Sequence, residues 1–320
     1  MKFNGFIVSL FGVILLAYLL PQGNEILPLK TITDIGIGFI FFFYGLKLAP
    51  QEIKQGLLNY KVHLIVQLTT FIVFPLLALA YLPLFEQGKD SELWTAIFFL
   101  ATLPSTVSSS IVMVALAKGN LPAAIFNASL SGLIGIFATP IWLSIILGKS
   151  ADFQFLDVLL KLGWQILAPL IVGLILQRIF GNWARKHSKQ LALFDKGIIL
   201  IIVYSSFSNS FTSNLFDAID LSGFLLLIVG VLVLFFAVYY LTALASNLLK
   251  LTVEDKITAQ FCGTKKSLVH GSVMVNVIFG NSANTGLLLL PIMLFHSSQL
   301  ILIAYFAEKY RKRKPEMAKI

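Results

Sequence analysis

The sequence predicts an all-α polytopic membrane protein: ten transmembrane helices forming two inverted five-helix repeats, with broken helices 4 and 9 that cross. Three observations carry this: composition, the sidedness of the basic residues, and self-similarity at one fixed offset. Of the 320 residues 58% are hydrophobic and only 12% charged, whereas a soluble domain carries about 25% charge. The apolar residues come in long runs, several near the ~20 residues that a helix needs to cross about 30 Å of hydrocarbon. The solvent for most of the chain is therefore lipid. The single cysteine, Cys262, excludes an intrachain disulfide and a cysteine-based zinc cluster.

Taken in order, the runs place spans near 4–20, 32–49, 62–84, 93–117, 121–147, 155–179, 192–210, 221–249, 257–279 and 284–306. The first follows a lone Lys2, as a signal peptide would. Pro21-Gln22-Gly23-Asn24 lacks the small-residue cleavage pattern, however, and more spans follow, so it reads as a retained helix. Breakers mark the short connections: Pro21-Gln22-Gly23, Gln87-Gly88-Lys89-Asp90, Gly119-Asn120 and Gly280-Asn281-Ser282.

The basic residues test this count. With a cytoplasmic N-terminus, the inner segments and the tail hold 18 of the 24 Lys and Arg. The outer loops hold only Lys30, Lys89, Lys149 and Lys161, and Lys265 and Lys266 fall inside a span. This sidedness follows the positive-inside rule and predicts a protein of the plasma (inner) membrane with both termini cytoplasmic. Orientation then explains the net charge of +9 without a nucleic-acid partner. The basic tail, 309–320, reads as a stop-transfer anchor that can also touch anionic lipid.

Sliding the chain against itself by 161 residues aligns several helices without gaps. Gly12 meets Gly173, and Asp34-Ile35-Gly36-Ile37 meets Asp195-Lys196-Gly197-Ile198. Val112-Met113-Val114 with Gly119-Asn120 meets Val273-Met274-Val275 with Gly280-Asn281. Repeats 1–150 and 151–308 would each hold an odd number of helices, so the second enters the membrane from the opposite face. Such inverted repeats recur in secondary transporters, whose sites lie near the midplane where helices break.

The fourth span is interrupted by Pro104-Ser105-Thr106-Val107-Ser108-Ser109-Ser110. Proline removes a backbone donor and clashes with the preceding turn, and the hydroxyls that follow can re-satisfy the freed groups or line a cavity. The offset sets Lys265, Lys266 and Ser267 opposite Pro104, Ser105 and Thr106, with Gly263 and Gly271 flanking the polar stretch. Exposed half-helix N-termini at paired breaks favour anionic groups through unpaired N–H donors and the helix dipole, although kinks and small residues also serve helix packing. An intramembrane lysine is costly and faces a cavity or a partner. Lys265 could bind an anionic substrate, carry a proton, or substitute for a metal ion. Alternatively, helix 9 begins only at Ser267 and both lysines lie in the loop.

The candidate substrate- or ion-binding set is Ser105, Thr106, Ser108, Ser109, Ser110, Asn127, Lys265, Lys266, Ser267 and His270. No resident cofactor is expected; sodium or proton coupling is open. His63, Gln67, His270 and His296 are isolated and read by default as interhelical hydrogen bonds, and Asp34 and Asp195 as helix caps.

The stretch 104–120, ending Leu116-Ala117-Lys118-Gly119-Asn120, resembles the fourth helix of the bile acid:sodium symporter superfamily, which has a leucine-alanine-arginine-glycine-asparagine version there. The chain is similar over its length to the divergent branch of that family, solute carrier family ten, that holds mammalian member seven. The resemblance implies the ten-helix crossed fold and transport of a solute. Helix 9 departs from it. Matching the family's Glu…Gln-Asn sodium ligands puts Phe261 at the glutamate, Lys265 at the glutamine and Lys266 at the asparagine. In helix 4, Ser109 and Ser110 match the Ser-Asn ligands only partly, because Ile111 takes the asparagine position.

The expectation is alternating-access transport of a small organic anion across the bilayer, with sodium coupling in doubt. The alternative is a fold-retaining regulator of cation homeostasis, since the member-seven branch is associated with calcium. A Ser/Lys intramembrane hydrolase is a third, chemically permitted reading.

Overall fold

The structure, a computed structural model, describes residues 5–48, 59–85, 91–147, 160–213, 221–279 and 284–313. All its regular elements are helical. Apart from two short helical turns, Gly23–Ile26 and Leu82–Leu84, they are in chain order α1 Gly5–Leu19, α2 Leu29–Lys47, α3 Tyr60–Leu68 and α4 Phe74–Ala80, the last two joined by a π-helical turn, Thr69–Val73. Then come α5 Glu92–Thr102, α6 Ser108–Leu116, α7 Leu121–Leu147, and α8 Ala168–Lys186 entered through a second π turn, Gly163–Leu167. The rest are α9 Ser188–Thr212, α10 Leu221–Leu248, α11 Val253–Gly263, α12 Leu268–Phe279 and α13 Thr285–Arg311.

Seven of these helical segments are long and apolar enough to cross a membrane, with α1 and α5 as shorter apolar helices. The fourth and ninth predicted spans are each two helices: α5 and α6 flank residues 103–107, and α11 and α12 flank 264–267. The connection expected at 180–191 is helical except at His187, because α8 continues to Lys186 with Arg185 and Lys186 in its last turn, where cations complement the helix dipole. The connections at 86–90 and 280–283, the boundary at 148–159 and the tail from 314 lie outside the described residues. Neither aspartate is a cap: Asp34 lies within α2, and Asp195, within α9, pairs with Lys47 at 3.7 Å.

Two local causes position the centre of the molecule. Pro75 has no N–H to give the preceding turn, which widens into the π turn and releases carbonyls: Phe71 O accepts Trp142 Nε1 at 2.7 Å, and Thr70 O accepts Lys266 Nζ at 2.8 Å. Glycines set the closest helix pairing: at Gly45 or Gly173 a Cβ would overlap a backbone carbonyl of the partner, so α2 and α8 meet backbone to backbone.

The elements also recur at the fixed offset. Helices α5 and α11 are both 11 residues long and start 161 residues apart, and so do α3 and α10. Their caps match as well: the Ser91 hydroxyl accepts Trp94 N–H, and the Thr252 hydroxyl accepts Asp255 N–H. The largest apolar cluster holds Phe74, Phe98, Phe99, Phe235, Phe261 and Phe295. A second joins Ile37, Phe41, Leu170, Ile198 and Ile202 to Ile136 of α7 and Val273 and Val277 of α12.

Candidate functional site

The two broken segments touch at their breaks: Ser267 N–H donates to Pro104 O at 2.9 Å. Every helix end leaves carbonyls that must find donors, and at the end of α5 they are all accounted for. Phe99 O accepts the Thr102 hydroxyl, Leu100 O accepts Leu103 N–H, and Thr102 O accepts the Thr139 hydroxyl. Ala101 O and Leu103 O both accept Lys266 Nζ, each at 2.7 Å.

Lys266 Nζ reaches Thr70 O as well and lies 4.1 Å from the centre of the Phe74 ring. Its three N–H bonds are thus all taken by carbonyls, and the negative end of α5 and an aromatic face add to its stabilisation. Its backbone is held too: Lys266 N–H donates to Gln299 Oε1 at 2.8 Å, and Gln299 Nε2 donates to Lys266 O at 2.9 Å. Gln299 Nε2 lies 2.9 Å from His296 Nδ1.

The other break repeats this scheme with smaller groups. At the position matching Lys266, the Ser105 hydroxyl donates to Cys262 O at 2.5 Å, and Cys262 is the residue that matches Ala101. Ser105 N–H donates to the Ser131 hydroxyl at 2.9 Å, as Lys266 N–H does to Gln299. Thr106 and Ser109 hydroxyls are 2.8 Å apart, and their counterparts, the Ser267 hydroxyl and His270 Nδ1, are 2.9 Å apart. Thr106 also meets Ser110 at 2.9 Å.

Lys265 differs from its neighbour. Its side chain is fully buried, yet Nζ makes one hydrogen bond, to Ser109 O at 2.8 Å, leaving two donors of an ammonium group that carries three. The loop placement of the lysines does not hold, because α11 precedes them as a buried helix. A Ser/Lys hydrolase has no support at this point: Lys265 bonds a carbonyl rather than a hydroxyl, and among the described side chains no serine hydroxyl bonds either lysine.

Of the candidate residues, Ser105, Thr106, Ser109, Ser110, Lys265, Lys266, Ser267 and His270 come together at the crossing. Ser108 opens α6, but its side chain lies outside the described residues. Asn127 sits in an adjoining cluster, where Nδ2 is 2.8 Å from His63 Nδ1 and Gln67 Nε2 donates to Oδ1 at 3.2 Å. His63 and Gln67 are therefore not isolated. His270 Nε2 is buried with no partner. Sequence reasoning missed Gln299, Thr139 and the Thr70 carbonyl. A glutamine in an apolar helix and the Pro75 signal were the available hints.

The carbonyls of Thr70, Ala101 and Leu103 already accept Lys266 Nζ, Lys265 is its neighbour in the chain, and no Asp or Glu occurs between Asp255 and Glu308.

Two broken segments that meet in the buried centre, among seven helices long and apolar enough to cross a membrane, fit an integral membrane protein of the transporter class. The chain belongs to the SBF-like CPA transporter family, whose model matches residues 4–312. It is 38% identical to the uncharacterized protein PA2026 of Pseudomonas aeruginosa, over 98% of this chain and 95% of that one. It is 32% identical to sodium/bile acid cotransporter 7 of Xenopus tropicalis, covering 93% and 88% of the two chains. The mouse protein of the same name is 28% identical over 88% and 83%.

Proposed function

We propose that this chain is a secondary active transporter of a small organic anion, working by alternating access and not coupled to sodium. The observation that carries the reading is Lys265: a buried ammonium with a single hydrogen bond, placed where two helix breaks meet. Family membership supports transport of a small solute, and a cation with spare donors selects a carboxylate or similar group. Ser109, Ser110 and Thr106 supply hydroxyls beside it. Lys266 has a different part: its ammonium holds together carbonyls of two helices, as a resident cation that cannot leave.

The frame for this is a ten-helix fold of two inverted five-helix repeats. It is supported by the recurrence of caps, helix lengths and hydrogen bonds at an offset of 161 residues. Both termini on the cytoplasmic side of the plasma (inner) membrane is the orientation that the distribution of basic residues supports. The tight burial of the crossing is what a fold-retaining regulator would also show, so that reading stays as the competitor.

The test is uptake of a panel of anionic metabolites into proteoliposomes, together with thermal-shift screening, on the wild type and Lys265→Gln. Uptake or stabilisation by at least one anion, lost in the variant, supports the proposal. Uptake that Lys265→Gln leaves unchanged removes Lys265 from the site, and no transport of any solute favours the regulator.

A further inference from the structure

The face formed by α2, α8 and the start of α9 carries two cavities that meet at Phe39. The first, of about 350 Å³, lies between Phe39 and Phe43 of α2 and Trp183, His187, Gln190 and Phe194 of the α8–α9 turn. The second, of about 420 Å³, continues along α2 and α8 past Phe42 and Val172 to Trp164, and no charged residue lines it. Both have the size of a small-molecule cleft, about 300–1,000 Å³. Phe39 and Phe43 stack with centroids 5.8 Å apart, and Phe194 stands edge-on to both at 6.3 and 5.7 Å. Rings packed in this way hold one another, so the wall of the first cavity is preformed.

The two cavities differ at their ends. The first closes on His187 and Gln190, where His187 Nδ1–H donates to Trp183 O at 2.9 Å. Arg178, Arg185, Lys186 and Lys189 lie along this turn, and no Asp or Glu occurs from 178 to 194. Asp195, the next acid, is paired with Lys47 at 3.7 Å. Arg185 is turned to Asn182 at 2.7 Å, which leaves Lys186 and Lys189, both exposed, within two residues of His187. Sidedness explains why cations lie on this side of the membrane. It does not explain why they gather at the end of an aromatic groove.

We infer that the first cavity is a binding site for an anionic phospholipid of the cytoplasmic leaflet. Lys186, Lys189, His187 and Gln190 hold its phosphate through charge-assisted bonds, and an acyl chain lies against Phe43 and Phe39. The depth agrees: Phe39 is near the middle of α2, Leu29–Lys47, and tryptophan, here Trp183, is enriched at headgroup level. Basic pockets between membrane helices on the cytoplasmic side suit such headgroups. A second copy of the chain fits worse. In a two-fold dimer about the membrane normal this cationic turn would meet its own copy, whereas a phosphate neutralises it. The inference uses the orientation proposed above and is independent of the transport reading.

The test is thermal unfolding of the purified full chain in detergent, with dioleoylphosphatidylglycerol or dioleoylphosphatidylcholine added. Lys186→Gln with Lys189→Gln removes the charge, and Gln190→Trp fills the groove; all three positions are exposed, so the variants should fold. Lys309→Gln with Lys312→Gln, at the end of α13, removes equal charge elsewhere on the same side. The inference expects phosphatidylglycerol to raise the wild-type Tm by about 2–4 °C more than phosphatidylcholine does. That margin should at least halve in the first two variants and persist in the third.

Equal stabilisation by the two lipids, or a margin that the α13 variant loses as fully, overturns the inference. So does the same margin produced by inorganic phosphate alone, which would make this a site for a free anion. Gln190→Cys supplies the remaining arm, because the native chain's one cysteine, Cys262, is buried. Disulfide linkage of Gln190→Cys between two copies in phosphatidylglycerol membranes overturns the lipid in favour of a dimer. A lipid margin that follows the variants in a chain that takes up no anion supports this inference and sinks only the transport reading.

Discussion

The first break, at Pro104-Ser105-Thr106, and the second, at Lys265-Lys266-Ser267, share a skeleton of hydrogen bonds but differ in reach. In both, the second residue donates to a carbonyl near the end of the opposing helix: Ser105 to Cys262 O, and Lys266 to Ala101 O. The serine ends there. The longer lysine goes on to Leu103 O and to Thr70 O in the π turn, so a third helix is tied to the crossing. On the function proposed above, the difference gives the second break two separate tasks. Lys266 holds the breaks together with all its donors, and Lys265 keeps two donors in reserve. A buried, fully paired ammonium is costly to remove, whereas a small hydroxyl is not.

The sharpest way to break this comparison is Lys266→Ala. It strips donors from three buried carbonyls, each worth about 1–3 kcal/mol when left unmade, so loss of folded, monodisperse protein is expected in size-exclusion and thermal-unfolding measurements. Near-wild-type stability would show that the three bonds matter little.

Next come the glycines that make room for each break. A Cβ at Gly135 would sit 2.7 Å from the Pro104 ring, and one at Gly271 would sit 2.7 Å from Leu103 Cδ1. A proline ring cannot turn aside and a leucine methyl can. Gly135→Ala should therefore cost about 1–3 kcal/mol by overpacking, and Gly271→Ala less. Paired unfolding curves check the order.

Smaller again, and of a different kind, is Lys265→Gln: stability within about 1 kcal/mol of wild type, but anion uptake reduced 10- to 100-fold, about 1.4–2.8 kcal/mol of binding. Smallest is Ser105→Ala, the counterpart of Lys266→Ala. It should cost about 1 kcal/mol for one hydrogen bond, which a thermal-shift measurement can resolve.

The sequence made the breaks legible because Pro104 and the two lysines violate the rules of an apolar span, and the recurrence of Gly-Asn and Val-Met-Val at one offset is what suggests a repeat. It did not reveal the partners of Lys266. Those are backbone carbonyls, which carry no residue signature, and Thr70 offers its carbonyl only because Pro75 lies five residues further on. The meeting of His63 and Gln67 at Asn127 was hidden for another reason: about 60 residues separate them, and only the packing of α3 on α7 closes the gap.

The central claim of the proposed function is that a tethered lysine takes the place of a mobile cation, so that transport is not coupled to sodium. It is tested most directly by uptake of an accepted anion into proteoliposomes, with external sodium replaced in full by potassium. The account predicts the same initial rate in both salts. A rate that collapses when sodium is withdrawn, and returns with it, would contradict the account.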